Sequence, residues 1–197
     1  MMVKVCGITC TDDALASVDA GASAIGFNFY PQSPRYVTVK TAAEIAAVLP
    51  SHVWKTGIFV NEPAGTIERV ARQVGLDVVQ LYGDCTVSGF RIWRARPVDA
   101  AFRAESIEDE AAEAVLLETV GGSLPGGTGR TFDWTLARGL RKKIILAGGL
   151  DGSNVREAIR TARPWGVDAS SRLEYAPGRK DHERIRQFVK AALAETL

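Results

Sequence analysis

The chain has 197 residues, and its 24 Lys and Arg nearly balance its 23 Asp and Glu, for a formal net charge of +1. No basic block with interleaved aromatic residues is present, so a nucleic-acid partner is not expected. Lys4 and the polar stretch 10–13 interrupt any leader-like apolar run, and no segment approaches the roughly 20 apolar residues of a membrane helix. We therefore expect a soluble cytoplasmic protein, monomer or homodimer, without membrane contact.

The three cysteines, Cys6, Cys10 and Cys85, indicate reduced thiols rather than a disulfide framework. Cys6 and Cys10 are four residues apart, but His52 and His182 lie in separate segments. Because a zinc site needs clustered Cys and His ligands, the pattern predicts no metal site.

Short apolar, β-branched runs alternate with segments of helical period along the chain, and eight of the runs are predicted to be strands. The predicted strands are Val3–Ile8, Ala24–Tyr30, Trp54–Val60, Val78–Gly83, Ile92–Pro97, Ala114–Thr119, Ile144–Leu150 and Val167–Ser171. Apolar residues recur at helical spacing in three intervening segments, which predicts helices with one buried face. These positions are Ala42, Ile45, Ala46 and Leu49; Ile67, Val70, Ala71 and Val74; and Ile185, Phe188, Val189, Ala192 and Leu193.

Residues with capping preferences stand at the expected helix ends. Thr11 and Ser153 are suited to the N-caps of the helices after the first and seventh strands, and Asp133 to that of the helix after the sixth. Gly21 and Gly75 stand where helices are expected to stop.

Repeated strand–helix units predict a parallel sheet, because parallel neighbours need a crossover connection. Eight units predict an α/β fold, a single compact (β/α)8 TIM barrel over residues 1–197. The alternative is an open doubly wound sheet, which usually carries G-x-G-x-x-G after its first strand, where this chain has Cys6-Gly7-Ile8-Thr9-Cys10. A weak or missing helix is expected after strand 4 or 5, because 84–90 is short and the acidic stretch 105–113 fits either a helix or a solvated outer face.

In such barrels the active site lies at the carboxyl ends of the strands. Cys6 stands at the end of the first strand, where it is either a small buried hydrophobe or, as a thiolate, a base. Glu118 stands at the end of the sixth, where it is either a salt-bridged rim residue or a general acid whose pKa is raised by burial. Arg35, in the loop after strand two, offers a fork suited to a carboxylate. Other polar residues near strand ends are Asn28, Asn61, Tyr82 and Arg94.

Glycines and hydroxyls after the last two strands predict a phosphate site. The residues concerned are Gly148 and Gly149 after strand seven, and Asp168, Ser170, Ser171 and Arg172 around the end of strand eight. Backbone N–H groups at a helix N-terminus complement a phosphate dianion, and loops seven and eight commonly hold phosphate in this barrel class. The glycine pair also fits a simple tight turn. Gly126-Gly127-Thr128-Gly129 is typical of a lid over a phosphate, or of a plain flexible loop.

Several motifs, taken together and in order, resemble one family. They are Lys4-Val5-Cys6-Gly7-Ile8-Thr9, Ser33-Pro34-Arg35-Tyr36-Val37, Gly57-Ile58-Phe59-Val60-Asn61, Val79-Gln80-Leu81, Gly126-Gly127-Thr128-Gly129 with Phe132-Asp133-Trp134, Gly148-Gly149-Leu150, Val167-Asp168-Ala169-Ser170-Ser171 with Glu174, and Pro177-Gly178-Arg179-Lys180-Asp181. They cover nearly the whole chain and are similar to the motifs of the phosphoribosylanthranilate isomerase family of tryptophan biosynthesis.

The resemblance implies an Amadori rearrangement of N-(5-phosphoribosyl)anthranilate to 1-(2-carboxyphenylamino)-1-deoxyribulose 5-phosphate, without cofactor or metal, so the expected partner is a small phosphorylated substrate. It implies that Cys6 is the base, that Glu118 occupies the position of the acid, and that Arg35 pairs with the anthranilate carboxylate. Asp168 is assigned to substrate binding. The residues assigned to the phosphate are Gly127, Gly148, Gly149, Ser170, Ser171 and Arg172.

Three positions depart from the family pattern: Glu118 stands where Asp is usual, Tyr82 where His is usual, and Arg172 where Gly is usual. The extra methylene of Glu118 displaces the carboxyl by about an ångström, which can cost roughly a hundredfold in rate. Arg172 either adds a cation to the phosphate cup or crowds it. Two alternatives stay open. One is a related or dual-substrate barrel isomerase of histidine biosynthesis, which usually carries Asp at the position of Cys6; the other is a phosphate-binding barrel with reduced catalysis.

Overall fold

The computed structural model describes residues 1–119 and 130–195. Eight parallel strands pair in chain order, and the first also pairs with the eighth, which closes the sheet into a barrel. The strands are β1 (Met2–Cys6), β2 (Ala24–Asn28), β3 (Trp54–Val60), β4 (Val78–Tyr82), β5 (Arg91–Val98), β6 (Ala114–Thr119), β7 (Lys143–Leu146) and β8 (Gly166–Ala169). The predicted (β/α)8 barrel is confirmed.

Helices occupy most of the crossovers. They are α1 (Thr11–Asp19), α2 (Val39–Val48), α3 (Ala64–Val74), α4 (Glu105–Glu108), α5 (Val155–Ala162) and α6 (His182–Leu193), with 3-10 turns at Trp134–Ala137 and Ser171–Leu173 and a small hairpin of β9 (Glu174–Ala176) and β10 (Arg179–Lys180). Within the described residues, none of these helices combines the length and the apolar composition needed to cross a membrane.

The predicted apolar faces of the helices pack against the barrel. All four predicted positions on α3 are buried, as are those on α2 and at its end. On α6, Ile185, Phe188, Val189 and Ala192 are buried, whereas Leu193 is 41% exposed. The prediction for Leu193 is therefore wrong: it is the last residue of the helix, where the chain reaches the rim of the helical layer.

Five strands, β1, β2, β4, β7 and β8, end one to four residues earlier than predicted. β1 stops before Gly7, which has φ 74°, and β7 stops before Gly148 and Gly149, which have φ 81° and 67°. β8 stops before Ser171, which opens a 3-10 turn. Because a parallel ladder cannot continue through left-handed backbone, these three glycines begin loops at the barrel mouth.

Two predicted N-caps are wrong. α1 begins at Thr11 itself, because the carbonyl of Cys10 already accepts the first backbone hydrogen bond of the helix. Asn154, not Ser153, is the N-cap residue of α5. The Ser153 hydroxyl instead donates to the Asp151 carboxylate, which draws it away from the helix.

The other predicted helix ends are confirmed. The carboxylate of Asp133 accepts the backbone N–H of Thr135 at 3.0 Å and caps the 3-10 turn Trp134–Ala137. Gly75 ends α3 in the left-handed conformation, with φ 72°, and Gly21, with φ 100°, follows α1. Both glycines adopt backbone angles that other residues adopt only under strain.

As predicted, the helical layer is weakest after strands 4 and 5. Residues 83–90 contain no helix, and α4 has four residues. The buried guanidinium of Arg94 on β5 donates to the carbonyls of Gly83 and Cys85, and its Nε lies 3.4 Å from a carboxylate oxygen of Glu110. A buried ion cluster therefore holds the loop after β4 where a helix is missing. The acidic stretch supplies both α4 and the carboxylate of this cluster.

The barrel interior changes from aromatic to polar along its axis. At the amino end, the rings of Trp54, Trp93 and Trp165 pack with centroids 5.8 to 6.0 Å apart. Arg91 lies over the ring of Trp54, and Lys143 lies over the ring of Trp165. Toward the carboxyl end, the buried polar side chains include Lys4, Thr56, Gln80, Glu118 and Asp168. The fold thus places several ionisable groups directly beneath the barrel mouth.

Candidate active site

A cavity opens at the carboxyl ends of the strands. Its lining includes nine predicted site residues: Cys6, Arg35, Glu118, Gly148, Gly149, Asp168, Ser170, Ser171 and Arg172. Gly127, the tenth, lies outside the described residues. Asn28 and Tyr82 also line the cavity, whereas Asn61 and Arg94 do not contribute to its described lining. Arg94 instead belongs to the buried ion cluster that holds the loop after β4.

Cys6 is half-buried at the end of β1, and its side chain lines the cavity. Burial raises the pKa of the Cys6 thiol, and the nearby ammonium of Lys4 only partly opposes this. Its backbone carbonyl accepts a 3.0 Å hydrogen bond from the Ser170 hydroxyl, which ties the end of β1 to the start of loop eight. The end of β1 is therefore held in place, and the thiol is protonated at neutral pH.

Beneath Cys6 lies a buried ion pair that the sequence reasoning missed. The Lys4 Nζ lies 3.0 Å from Oδ1 of Asp168, and the Lys4 side chain has no exposed surface. Burial lowers the pKa of Lys4, but Asp168 and Cys6 more than compensate and hold it above its ordinary value. The available signal was the two-residue spacing of Lys4 and Cys6, since alternate residues of a strand share a face.

Glu118, at the end of β6, faces Tyr82 from β4 across the cavity. Burial raises the pKa of the Glu118 carboxyl to about 7; the Tyr82 hydroxyl opposes the rise as a hydrogen-bond donor, and the charge of Asp168 adds to it. Burial and the Glu118 carboxyl raise the pKa of Tyr82 well above its ordinary value. Tyr82 thus stays a neutral donor, and Glu118 exchanges its proton near neutral pH. A general acid must carry a proton, and a carboxyl with a pKa of about 7 is partly protonated near neutral pH.

Arg35 is held over the cavity by a second buried carboxylate. Its Nε and Nη2 each donate to Glu174 at 2.8 Å, a bidentate pair that fixes the plane of the guanidinium. A Cβ on Gly7 would lie 2.6 Å from the Arg35 Cδ, so only glycine at that position admits the arginine side chain. Gly7 is therefore a site-shaping residue that sequence reasoning treated only as part of a motif.

Glu174 also binds Lys180, whose Nζ lies 2.7 Å from Oε1 and is buried. Burial raises the pKa of Glu174, but Arg35 and Lys180 outweigh it and hold the value below its usual range. Lys180 further donates to the backbone carbonyl of Ser170 at 3.2 Å. These contacts join Arg35, the hairpin and loop eight into one charged network at the rim.

The glycine turn after β7 is tightly packed. A Cβ on Gly148 would lie 3.0 Å from the backbone N of Thr119 and 3.2 Å from the carbonyl of Arg130. The Asn154 amide donates to the Gly149 carbonyl at 2.8 Å, and its oxygen accepts the N–H of Asp151. The predicted tight turn is confirmed, and it leads into α5 as the phosphate prediction requires.

Ser170 and Ser171 stand at the start of the 3-10 turn after β8, the strand next to β7 in the barrel. Arg172 follows them, and its Nε donates to Asp151 of loop seven at 2.6 Å. Burial raises the pKa of the Asp151 carboxyl, but its bonds to Ser153 and Arg172 prevail and hold it below its usual range. Arg172 thus links the two loops that form the predicted phosphate cup.

The site has the parts of an acid–base catalyst: a thiol, a carboxyl that titrates near neutral pH, and a cationic rim. Within residues 1–119 and 130–195, no group of three or more His, Cys, Asp or Glu side chains is arranged to hold a metal ion.

Comparison with known proteins identifies the family. Residues 3–191 match the family model described as N-(5'phosphoribosyl)anthranilate (PRA) isomerase. The chain is 47% identical to N-(5'-phosphoribosyl)anthranilate isomerase of Solibacter usitatus, over 98% of both chains. It is similar to the crystal structure of phosphoribosyl anthranilate isomerase from Thermotoga maritima, with a TM-score of 0.88, 38% identity, and coverage of 98% of this chain and 99% of that one.

A second solved structure is of phosphoribosyl anthranilate isomerase in complex with reduced 1-(o-carboxyphenylamino)-1-deoxyribulose 5-phosphate. It has a TM-score of 0.85 and 36% identity, and the match covers 98% of this chain and 99% of that one. The family model and the relatives span nearly the whole chain and agree with the motifs read from the sequence. The chain therefore belongs to the N-(5'-phosphoribosyl)anthranilate isomerase family.

Proposed function

We propose that the chain converts N-(5-phosphoribosyl)anthranilate to 1-(2-carboxyphenylamino)-1-deoxyribulose 5-phosphate in tryptophan biosynthesis, with Cys6 as base and Glu118 as acid. The observation that carries the assignment is a thiol and a carboxyl with a pKa near 7 in one cavity, beside the glycine turn of loop seven. A similar enzyme binds a reduced form of the product. The cytoplasmic location, the single domain and the monomeric or homodimeric state stay predictions.

In the first step Glu118 acts as the acid. Its proton passes to the ribose ring oxygen while the bond from that oxygen to C1 breaks, and the lone pair of the anthranilate nitrogen forms a C=N bond to C1. The product is an open-chain iminium ion with a free hydroxyl. A carboxyl with a pKa near the working pH is suited to this transfer, because a substantial fraction still carries its proton.

In the second step Cys6 acts as the base. The iminium acidifies the C2–H bond, the thiolate takes that proton, and the bonding electrons form C1=C2 while the nitrogen recovers its lone pair. The resulting enol amine then takes a proton at C1 from the Cys6 thiol, gives the proton of its C2 hydroxyl to the Glu118 carboxylate, and becomes the ketone, which restores both groups.

The rim residues orient the two ends of the substrate. Glu174 occupies the edge of Arg35 formed by Nε and Nη2, so the anthranilate carboxylate pairs with the edge that carries Nη1. The phosphate binds between loops seven and eight, where Gly148, Gly149 and Ser171 bring backbone N–H groups to the mouth. Arg172 adds a cation at the same place and bridges the two loops through Asp151.

The direct test is turnover of N-(5-phosphoribosyl)anthranilate by the purified protein, followed by the fluorescence of the aromatic amine. The aminoaldose substrate of the related histidine-pathway isomerase is assayed in parallel. We expect turnover of the first and none of the second. Binding of the reduced product without turnover would support the alternative of a barrel with lost catalysis, and equal turnover of both substrates would support a dual-substrate enzyme.

The dependence of kcat/KM on pH is expected to be bell-shaped, with a lower limb near pH 7 from Glu118 and an upper limb above the ordinary thiol pKa of about 8.5 from Cys6. Between the limbs, most molecules carry an ionised Glu118 and a protonated Cys6, and a constant minority carries the productive reverse arrangement. A rate profile without a limb near pH 7 contradicts the role of Glu118.

Shortening the acid by Glu118→Asp is expected to lower kcat about tenfold to a hundredfold. The shorter side chain draws the carboxyl away from Tyr82 and from the cavity centre by about an ångström. Turnover of this variant is compared with that of Glu157→Asp, which shortens an exposed carboxylate on α5. A rise in kcat for Glu118→Asp instead indicates that the glutamate compromises the acid.

A further inference from the structure

Lys4 is the most deeply buried cation near the reacting groups, and the mechanism gives it no contact with substrate. Its side chain has no exposed surface, and its neighbours across the ladder are Ala24 on β2 and Asp168 on β8. Burying an ion pair usually gives little or no net stability compared with apolar side chains of the same volume. A purely structural account of this pair is therefore weak.

The geometry directs Lys4 toward the sulfur of Cys6. The two residues alternate on β1 and share its inner face, and both lean over Gly26 of β2. A Cβ at Gly26 would lie 2.9 Å from the Cys6 Sγ and 3.1 Å from the Lys4 Cε. The missing side chain on β2 is therefore what admits the thiol and the lysine stem side by side.

The charges around Cys6 act in opposite directions. The charged and titratable groups that face it are Lys4 on its own strand, Asp168 on β8, Lys180 on β10 and Tyr82 on β4, with Glu118 on β6 in the same cavity. Burial raises the pKa of Cys6, Lys4 lowers it through its charge and through hydrogen bonding, and Asp168 raises it. Lys180, whose ammonium is held 2.7 Å from Glu174, also lowers it, but less.

We propose that Lys4 is a positioning residue that favours the thiolate of Cys6, and that its ion pair with Asp168 sets how strongly it does so. Asp168 and the Cys6 thiolate each favour the charged form of Lys4, so Lys4 stays charged beside the thiolate without Asp168, whereas Asp168 itself opposes the thiolate. Two partners of a single ion pair thus have opposite effects on the same sulfur. The proposal rests on the proposed function in one respect: that function makes the thiolate the catalytic base.

The test is the pH dependence of Cys6 alkylation by iodoacetamide in the substrate-free protein, measured by mass spectrometry of the peptide that carries Cys6. Alkylation follows the thiolate population, so it requires no turnover. We expect Lys4→Met to move the midpoint to higher pH and to slow alkylation at pH 8 about tenfold. Asp168→Asn is expected to move the midpoint to lower pH and to speed alkylation.

Opposite shifts separate the proposal from a structural role, because merely breaking the ion pair would loosen the site in both variants and move both midpoints in the same direction. Shifts of the same sign, or none, overturn the proposal. If Lys4→Met fails to fold, Asp168→Asn alone tests it, since a midpoint that does not fall contradicts the role given to the pair. Lys143→Met, at the amino end of the barrel, is the matched control and is expected to leave alkylation unchanged.

A wrong assignment of the base gives a different result. In that case the two midpoints still shift in opposite directions, but a Cys6→Ala variant retains turnover. Retained turnover with opposite shifts would leave the effect of Lys4 on the thiol intact and overturn only the role of Cys6 in catalysis.

Discussion

Cys6→Ala is expected to lower kcat by about 10³-fold, the middle of the range for loss of a general base, and to leave affinity for the reduced product within a few-fold. The base acts on a proton that becomes acidic only after the ring opens, so its removal affects a transition state and not the ground-state complex. The thiol is neutral near pH 7, because burial raises its pKa, and its loss removes no charge. Fluorescence-monitored turnover and titration calorimetry with the reduced product measure the two quantities.

Cys10→Ala is the matched control for this experiment. Cys10 is half-buried at the N-cap position of α1 and makes no side-chain cap hydrogen bond. The same change of side chain there is expected to leave kcat and product affinity unchanged. Turnover by Cys6→Ala within tenfold of the unmodified enzyme contradicts the role of Cys6, whatever its affinity for the product.

The sequence was sufficient to predict the barrel, because its two periodicities are strong and regular. Strand positions were correct for all eight strands, and the missing helix after β4 was visible as a short segment. Errors are concentrated at the carboxyl ends, where Gly7, Gly148 and Gly149 turn the backbone into the left-handed region. An apolar run does not show where a ladder ends, since glycine and small residues continue it in composition but not in conformation.

The sequence predicted the residues that line the cavity. It did not predict the residues that hold those side chains in place. Lys4 was considered as a charge that interrupts an apolar run and as part of a motif, and nothing local shows that Asp168, 164 positions away, stands beside it. Likewise Arg35 was matched with a substrate carboxylate, whereas Glu174 already holds one edge of its guanidinium. Such pairs depend on barrel closure, which brings the first and last strands together.

Tyr82 and Glu118 illustrate a different limit. Each was considered separately as a departure from the family pattern, because they lie on β4 and β6 and are far apart in the chain. In the barrel they face each other, and the Tyr82 hydroxyl supports the longer carboxyl. The two departures therefore form one carboxyl–hydroxyl pair, in which the longer side chain of Glu118 meets the hydroxyl of Tyr82.

Glu118→Gln is expected to lower kcat at least a hundredfold while it makes the protein more stable at alkaline pH. The amide cannot deliver a proton to the ring oxygen, which removes the acid. It has almost the same shape as the carboxyl, so packing against Tyr82 is retained. Activity and stability are thus expected to change in opposite directions, as occurs where a catalytic group is held in an unfavourable environment.

The sign of the stability effect follows from the pKa. In the folded chain the Glu118 pKa is raised to about 7, above the 4.5 of an ordinary glutamate, so the folded state holds its proton over a pH range in which the unfolded state has lost it. Below about pH 4.5 both states are protonated and the carboxyl has no effect. As pH rises to 7 and beyond, ionisation destabilises the fold by up to about 3 kcal/mol.

Urea unfolding at pH 8 and pH 4 measures this effect directly. At pH 8, Glu118→Gln is expected to unfold with a free energy up to about 3 kcal/mol larger than that of the unmodified enzyme, and at pH 4 the two are expected to coincide. Glu157→Gln, an exposed residue of α5, makes the same chemical change without the burial, so little difference is expected at either pH. Equal stability of the Glu118 variant and the unmodified enzyme at pH 8 would mean that the carboxyl ionises without cost. In that case its proton is lost well below neutral pH, and another group must protonate the ring oxygen.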